Sequence, residues 1–423
     1  MESSTIALII LICTIIMYLT EIIPLSITAL LSCIAMGIFG CCSLETVFSG
    51  FSNNVTMMII GMCIVGDTLF HTGAASFLGG KLIRIFGGSE KLFLMACIII
   101  TAFCSAFLSN SATVAMMLPI AASAISASGG KLTKKHTYMP IGFAAVAGGG
   151  LTLIGSTPQI IAQGMLMDAG LEGAGFFEYL ITGIPKVLIM VVFFSTFGYK
   201  MLKKYCDFPE VPDIENKREE QDRYTKFTLK MFISIMILLG CVVGFITQVW
   251  NVGIVSMLGA ALCIITRCVK AKEAFKHLDW NTIILVACAL GFASCLSESG
   301  AGEVIANFIV DIVGTDVNHY IVLVIIAFLS SFLGNIVSAS AATPILAPIC
   351  LYLAPEIKMD ARVLIIAVVV FSSVVYTTPT STPPNSMPLV AGYRYRDYVK
   401  IGGLLNVMTV AILLLLYPLI YQI

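Results

Sequence analysis

Two kinds of short polar run interrupt otherwise apolar stretches of this chain, and each kind occurs twice. Ser109-Asn110-Ser111 begins ten residues before Pro119, and Ser338-Ala339-Ser340 begins ten before Pro348. Gly155-Ser156-Thr157-Pro158-Gln159 lines up with Ser381-Thr382-Pro383-Pro384-Asn385: small polar residues, proline, then an amide. Proline has no backbone N–H, so it interrupts a helix and frees carbonyls such as those of Gly155 and Ser381. A helix restarting after such a break presents unpaired N–H groups and the positive end of its dipole, which attract anions. Ser109, Asn110, Ser111, Ser338 and Ser340 add hydroxyl and amide donors at the first kind of run. Ser156, Thr157 and Thr382 add them at the second, with Pro383 opening the restarted helix. The freed carbonyl oxygens suit a hard cation such as sodium. The chemistry on offer is reversible capture of an anion and a cation.

Serine and glycine inside spans often do no more than let helices approach closely. Four polar interruptions at matched places argue for more than that. No Arg or Lys lies near either polar triplet in the sequence. A bound dianion is then compensated by helix ends, about half a charge each, and by a co-bound cation. Glu21, Asp67 and Glu298 are intramembrane acids, but all fall near span ends, which favours structural or interfacial roles over a proton relay. Gly79-Gly80-Lys81 and Gly129-Gly130-Lys131 lack the earlier glycine and the hydroxyl residue of a phosphate loop. His71, His136, His277 and His319 read as isolated, and the 14 cysteines show no metal-ligand spacing. Neither an enzyme nor an ATP-driven pump is expected.

The elements that must position these runs are membrane helices. The chain is 58% hydrophobic and only 11% charged, against about 25% charged in a soluble domain. Net charge is zero, so nothing calls for nucleic acid. Met1-Glu2-Ser3-Ser4 lacks the basic start of a cleavable signal. The one long polar stretch, 204–225, reads as a linker between a first repeat, 1–203, and a second, 226–423. The first half carries spans near 4–22, 25–41 and 55–73, an apolar stretch with a polar middle (91–125), an interrupted span (136–168) and a last span (178–203). The second repeats the order at 226–249, 252–268, 280–300, 319–352, 361–392 and 400–422. Asn54 and Gly73 align with Asn281 and Gly300 at one offset. Interrupted segments at equivalent places in two halves point to the binding site of a secondary transporter.

Around Ser109-Asn110-Ser111 the arms have about 14–18 residues, marginal or short at about 1.5 Å each for a core of about 30 Å. Stretches 91–125 and 319–352 are therefore expected to be re-entrant hairpins. Charge supports this. With both as hairpins, 21 of the 24 basic residues fall on one side: those within 81–91, 131–135, 200–230, 267–276 and 394–400. Only Lys358 and Arg362 lie opposite, with Lys186 inside a span. Letting both stretches cross once gives a poorer split of 17 to 6. The basic side is cytoplasmic. Five crossings precede the linker, so the halves are inverted and both termini face outside.

At these residues the chain resembles the divalent-anion:sodium symporter family. The marks run over essentially the whole chain: Thr20-Glu21-Ile22-Ile23-Pro24, Ser49-Gly50-Phe51-Ser52-Asn53, Ser109-Asn110-Ser111, Thr152-Leu153-Ile154-Gly155 and Thr382-Pro383-Pro384-Asn385. The family has Ser-Asn-Thr at both hairpin tips. The resemblance implies an all-α polytopic homodimer working as an elevator, a scaffold carrying a moving transport domain. It also implies a sodium site near Ser105, Ser109, Asn110 and Gly155, and a second near the other tip, with Ser338 and Ser381. Ser111 keeps the hydroxyl of the family's Thr. Ala339 removes the second tip amide, Gly334 stands where a hydroxyl is expected, and Gln159 replaces an Asn. The second sodium site is weakened by these departures. The chain starts at what would be the family's second span.

The function expected is sodium-coupled uptake of a small divalent anion, a C4-dicarboxylate first, across a cell membrane. The alternatives are sodium-independent or proton-coupled exchange, carriage of sulfate or citrate, or a receptor-like protein that moves nothing.

Overall fold

The computed structural model describes residues 2–20, 22–74, 77, 89–128, 130–209, 227–302, 304–305 and 318–422. Glu21, most of the expected linker, and the basic residues Lys81, Arg84, Lys217, Arg218, Arg223 and Lys226 lie outside these.

Among the described residues there is no strand, and seven helices are long and apolar enough to cross a membrane. In chain order the first half consists of α1 (Ser3–Thr20), α2 (Leu25–Ile38), α3 (Asn54–His71), α4 (Glu90–Ser105), α5 (Asn110–Ala127), α6 (Lys134–Gly149), α7 (Thr157–Asp168) and α8 (Leu180–Tyr205). The second consists of α9 (Leu229–Thr247), α10 (Val252–Ile265), α11 (Trp280–Glu298), α12 (His319–Ile336), α13 (Ala339–Glu356), α14 (Ala361–Ser372) and α15 (Tyr395–Tyr421). The protein is an all-α, multi-pass membrane protein; six of the seven long apolar helices fall on expected spans, the seventh is the hairpin arm α12, and α2 and α10, expected as spans, are not among them.

Packing exchanges elements between the halves. The most extensive helix pairs between the halves are α3 with α10 and α2 with α11, so the second helix of each half lies on the third of the other. Small residues permit this: a Cβ on Gly61 would lie 2.4 Å from the Ser256 backbone, and Cys33 Sγ donates to Cys288 O at 2.9 Å. α2 and α10 have 14 residues each, about 21 Å at about 1.5 Å per residue, short of a core of about 30 Å.

Both apolar stretches with polar middles form helical hairpins, α4–α5 turning at 106–109 and α12–α13 at 337–338. Their arms run 16 to 18 residues. A hairpin returns to the side it enters whether its arms stop halfway or cross, so arm length does not alter the charge argument.

Each hairpin packs along the first arm of the interrupted span that follows it, α6 or α14. Those two arms are the interior of the molecule. Every residue of α6 except Lys135 and every residue of α14 except Arg362 is buried. Both are accordingly apolar nearly all round, as a fully enclosed helix must be.

The second interrupted span departs from the expected pattern. After 150–156 the first half resumes as the regular helix α7. After 373–382 the second half resumes only as one turn, Pro383–Ser386, and a 3-10 turn, Met387–Ala391. Pro383, Pro384 and Pro388 withhold three backbone donors, and Gly392 (φ 102°) ends the segment in a left-handed conformation.

Candidate functional site

The two breaks are built alike from the side chains upward. Gln159 Nε2 donates to Gly149 O at 3.0 Å, and Asn385 Nδ2 donates to Val375 O at 2.6 Å, each to a carbonyl ten residues back. Gln159 thus makes in the first break the bond that Asn385 makes in the second, its longer side chain notwithstanding. Thr152 Oγ1 donates to Ala106 O at the end of α4, and Thr378 Oγ1 donates to Asn335 O near the end of α12 at 2.7 Å. One hydroxyl in each break therefore fastens it to its own hairpin.

The restarted arms cross over. α7 packs on α13, the second hairpin's second arm, and the turn Pro383–Ser386 packs on α5 and α6 of the first half. This brings both tips and both breaks to one cavity of about 620 Å³. Ser109, Asn110, Ser111, Gly155, Ser156, Thr157, Ser338, Ser340, Ser381, Thr382 and Pro383 all line it. Ser105 does not; it is fully buried behind Asn110.

Three helix N-termini, those of α5, α7 and α13, open on the cavity. Ser109 and Ser338 are N-caps, accepting from Ala112 N (3.3 Å) and Ala341 N (3.1 Å). A capping hydroxyl uses its oxygen and keeps its O–H free to donate. The N–H groups of Asn110, Ser111, Ala339 and Ser340 have no intrahelical partner by helix geometry. Thr382 Oγ1 has no partner at all. The tips carry donors and no carboxylate; the acids of the cavity wall, Asp67 and Asp279, come from α3 and the start of α11.

Behind the first tip is a nest of acceptors. With its nitrogen inward, the Asn110 amide donates to Ser105 Oγ (2.7 Å), Gly155 O (3.1 Å) and Ala145 O (3.1 Å). With its oxygen inward, Oδ1 accepts from Ser105 Oγ at 2.7 Å and faces both carbonyls. Gly149 permits this approach: a Cβ there would lie 2.2 Å from Asn110 Oδ1. Of the expected sodium ligands, Ser105, Asn110 and Gly155 converge. Ser109 is engaged as the cap, and the carbonyl of Ala145 joins the group.

The second tip is different. Asn335 Nδ2 donates to Ser331 O and Val374 O, both at 2.8 Å, and its Oδ1 accepts from Thr377 N at 3.0 Å. Ser381 Oγ donates to Thr378 O at 3.0 Å. Protein donors thus occupy the acceptors beside this tip. Gly334 has a backbone reason: a Cβ there would lie 2.4 Å from Ser372 O.

Several neighbours were not legible in advance. Lys186 is buried, and its Nζ donates to Val370 O at 2.8 Å in the last turn of α14. It also lies beside Gly150, at the end of α6. A lysine inside a span was its only sequence signal. The histidines are not isolated. His136 meets Glu90 at 2.9 Å, His319 meets Ile357 O at 3.1 Å, and His71 and His277 meet each other at 3.1 Å and Asp67 besides. Glu298 accepts from Ser43 N and Thr46 Oγ1, fastening the turn after α2.

A membrane bundle whose interrupted helices meet at one cavity, with polar tips and breaks lining it, has the architecture of a secondary transporter, a class without enzymatic chemistry. A model of the citrate transporter family matches residues 15–370 and 242–422. The chain belongs to that family. An uncharacterized transporter of Haemophilus influenzae is 26% identical over 415 residues, covering 94% of this chain and 88% of the relative. The sodium-dependent dicarboxylate transporter SdcS of Staphylococcus saprophyticus is 24% identical over 434 residues, covering 94% and 82%. Together these bear out the resemblance to divalent-anion:sodium symporters. The YdaH transporter of Alcanivorax borkumensis shares the fold, with a TM-score of 0.64 at 13% identity over 89% of this chain and 87% of that one. MtrF of Neisseria gonorrhoeae does so with a TM-score of 0.59 at 13% identity, over 99% and 94%.

Proposed function

We propose that the chain takes up a small dianion, a C4-dicarboxylate first, together with one sodium ion. The convergence of both tips and both breaks on one cavity carries the reading. Three helix N-termini at about half a charge each supply about 1.5 positive charges. One sodium raises this to about 2.5 at the tips themselves, where no carboxylate opposes it; Asp67 and Asp279 lie on other elements of the wall. Ser109, Ser111, Ser156, Thr157, Ser338, Ser340 and Thr382 donate to the carboxylates, and Pro383 shapes the wall against them.

Sodium is assigned to the acceptor nest of Ser105 Oγ, Asn110 Oδ1, Gly155 O and Ala145 O. With the amide oxygen inward these oxygens, 3.1 Å apart, repel one another unless a cation sits among them; with the nitrogen inward they are hydrogen-bonded instead. They suit a cation whose ligands lie at about 2.3–2.6 Å, the range for calcium, which sodium nearly matches in size. The amide's other end can then reach the anion, coupling the two. The second tip, where Ala339 offers no amide oxygen and the Asn335 amide is held by Ser331, Val374 and Thr377, takes no sodium. The halves act as inverted repeats, with the termini outside and the basic loops cytoplasmic. Following the family, a homodimer scaffold carries the hairpins and breaks as an elevator.

Asn110→Asp tests the cation. A carboxylate keeps the inward oxygen and loses the donors, so it tolerates this nest only around a cation. Sodium, compared with choline, is expected to raise the melting temperature of the unmodified protein and of Asn110→Asp, and to leave Asn110→Leu unmoved. No sodium effect on the unmodified protein would sink the assignment.

A further inference from the structure

Away from the tips, the wall of the cavity carries a second cluster. Asp67 and His71 sit four apart on α3, so both project from one face near the helix end. His277 follows the helical turn Ala271–Lys276 in the other half. Three atoms converge: His71 Nε2 is 3.1 Å from His277 Nδ1, His277 Nδ1 is 3.2 Å from Asp67 Oδ2, and His71 Nε2 is 3.3 Å from Asp67 Oδ2.

Hydrogen bonds can serve this triangle, with His277 Nδ1 donating to Asp67 Oδ2 while His71 Nε2 accepts. A metal ion serves it as well, by drawing all three lone pairs to one point. Tetrahedral zinc with nitrogen and oxygen ligands at about 2.0–2.2 Å sets neighbouring ligand atoms about 3.3 Å apart. The triangle is within about 0.2 Å of that on every side.

We infer that Asp67, His71 and His277 form a binding site for a divalent transition metal of the zinc class. Two imidazoles and a carboxylate suit zinc better than magnesium or calcium, which take oxygen ligands. The side chains are 32%, 25% and 42% exposed for His71, Asp67 and His277, so the ion reaches the site from water. Water fills the fourth position. Because Asp67 and His277 line the transport cavity, a bound ion stands in its wall and pins α3 to the loop ahead of α11. Zinc therefore slows transport, whatever the transported anion is.

The test uses the full chain, purified and stripped with a chelator. Zn²⁺ titrated by calorimetry is expected to bind at one ion per chain. His71→Ala and His277→Ala each weaken it by about tenfold or more, and the double variant abolishes it. Co²⁺ on the unmodified chain needs no variant: it gives a visible absorption band of nitrogen and oxygen ligation. Zinc inhibits uptake in proteoliposomes, scaled to each variant's own zinc-free rate, and the chelator restores it. The inference is overturned if the unmodified chain shows no saturable zinc binding, or if the double variant binds equally well. A cobalt–thiolate band also overturns it, by assigning the metal to cysteines.

Discussion

The acceptor nest behind the first tip can be disturbed without touching any of its ligands. In Gly149→Ala the new Cβ lies 2.2 Å from Asn110 Oδ1, 2.8 Å from its Nδ2 and 2.9 Å from its Cγ. The backbone of α6 is enclosed on all sides, so the amide is what retreats, by about 1 Å. Overpacking of this kind costs about 1–3 kcal/mol of stability. Removing one ligand from an ion costs about as much as losing a hydrogen bond to a charged group, about 1.5–3 kcal/mol. At about 1.4 kcal/mol per decade, apparent sodium affinity falls roughly tenfold to a hundredfold. Gly240→Ala is the control. Nothing lies within 4 Å of its Cβ, and it sits in α9, so it gains at most about 1 kcal/mol of helix propensity. The assay is uptake of a labelled C4-dicarboxylate into proteoliposomes across a range of sodium concentrations. Wild-type sodium dependence in Gly149→Ala would refute the reasoning, because the amide could not then be a ligand.

Three further outcomes are expected. Ser109→Ala and Thr382→Ala each weaken anion affinity by about 1.5–3 kcal/mol with unchanged melting temperature; unaltered transport in both places the anion elsewhere. Lys186→Met keeps or raises the melting temperature, since among the described residues no carboxylate pairs with this buried amine, yet lowers uptake, as expected of an ionisable group inside a span at the ends of α6 and α14; full uptake contradicts this. Cysteine labelling from outside reaches a position near Glu172 and not one near Lys134 or Lys272; the reverse pattern overturns the assigned topology.

The tips and breaks were legible because their signals are local. Proline and small polar residues inside an apolar run interrupt a helix wherever it packs, and the crossing of α7 onto α13 then assembles the cavity. What the sequence hid depends on packing between distant segments. The carbonyl of Ala145 belongs to no motif, and it joins the nest only because α4 lies along α6. The amide lost at Ala339 reads as a gap, yet Asn335, in the preceding turn, occupies the acceptors there. His71 and His277 lie far apart in sequence and meet through the pairing of α3 with the second half. The irregular arm after 373–382 did have a signal, in Pro383, Pro384 and Pro388, but alignment with α7 concealed it. Gly334 reads as a lost hydroxyl; the closeness of Ser372 O shows that a larger residue there requires the backbone to move.

On the proposed function, an anion and one sodium share the cavity between the tips. This sharing is tested most directly by uptake of a labelled C4-dicarboxylate into proteoliposomes, with an inward sodium gradient against equimolar choline. Accumulation above equilibrium only with the sodium gradient, with a Hill coefficient near one and none in Asn110→Ala, is the predicted result. Equal uptake in choline, or a steep dependence on several sodium ions, would contradict it.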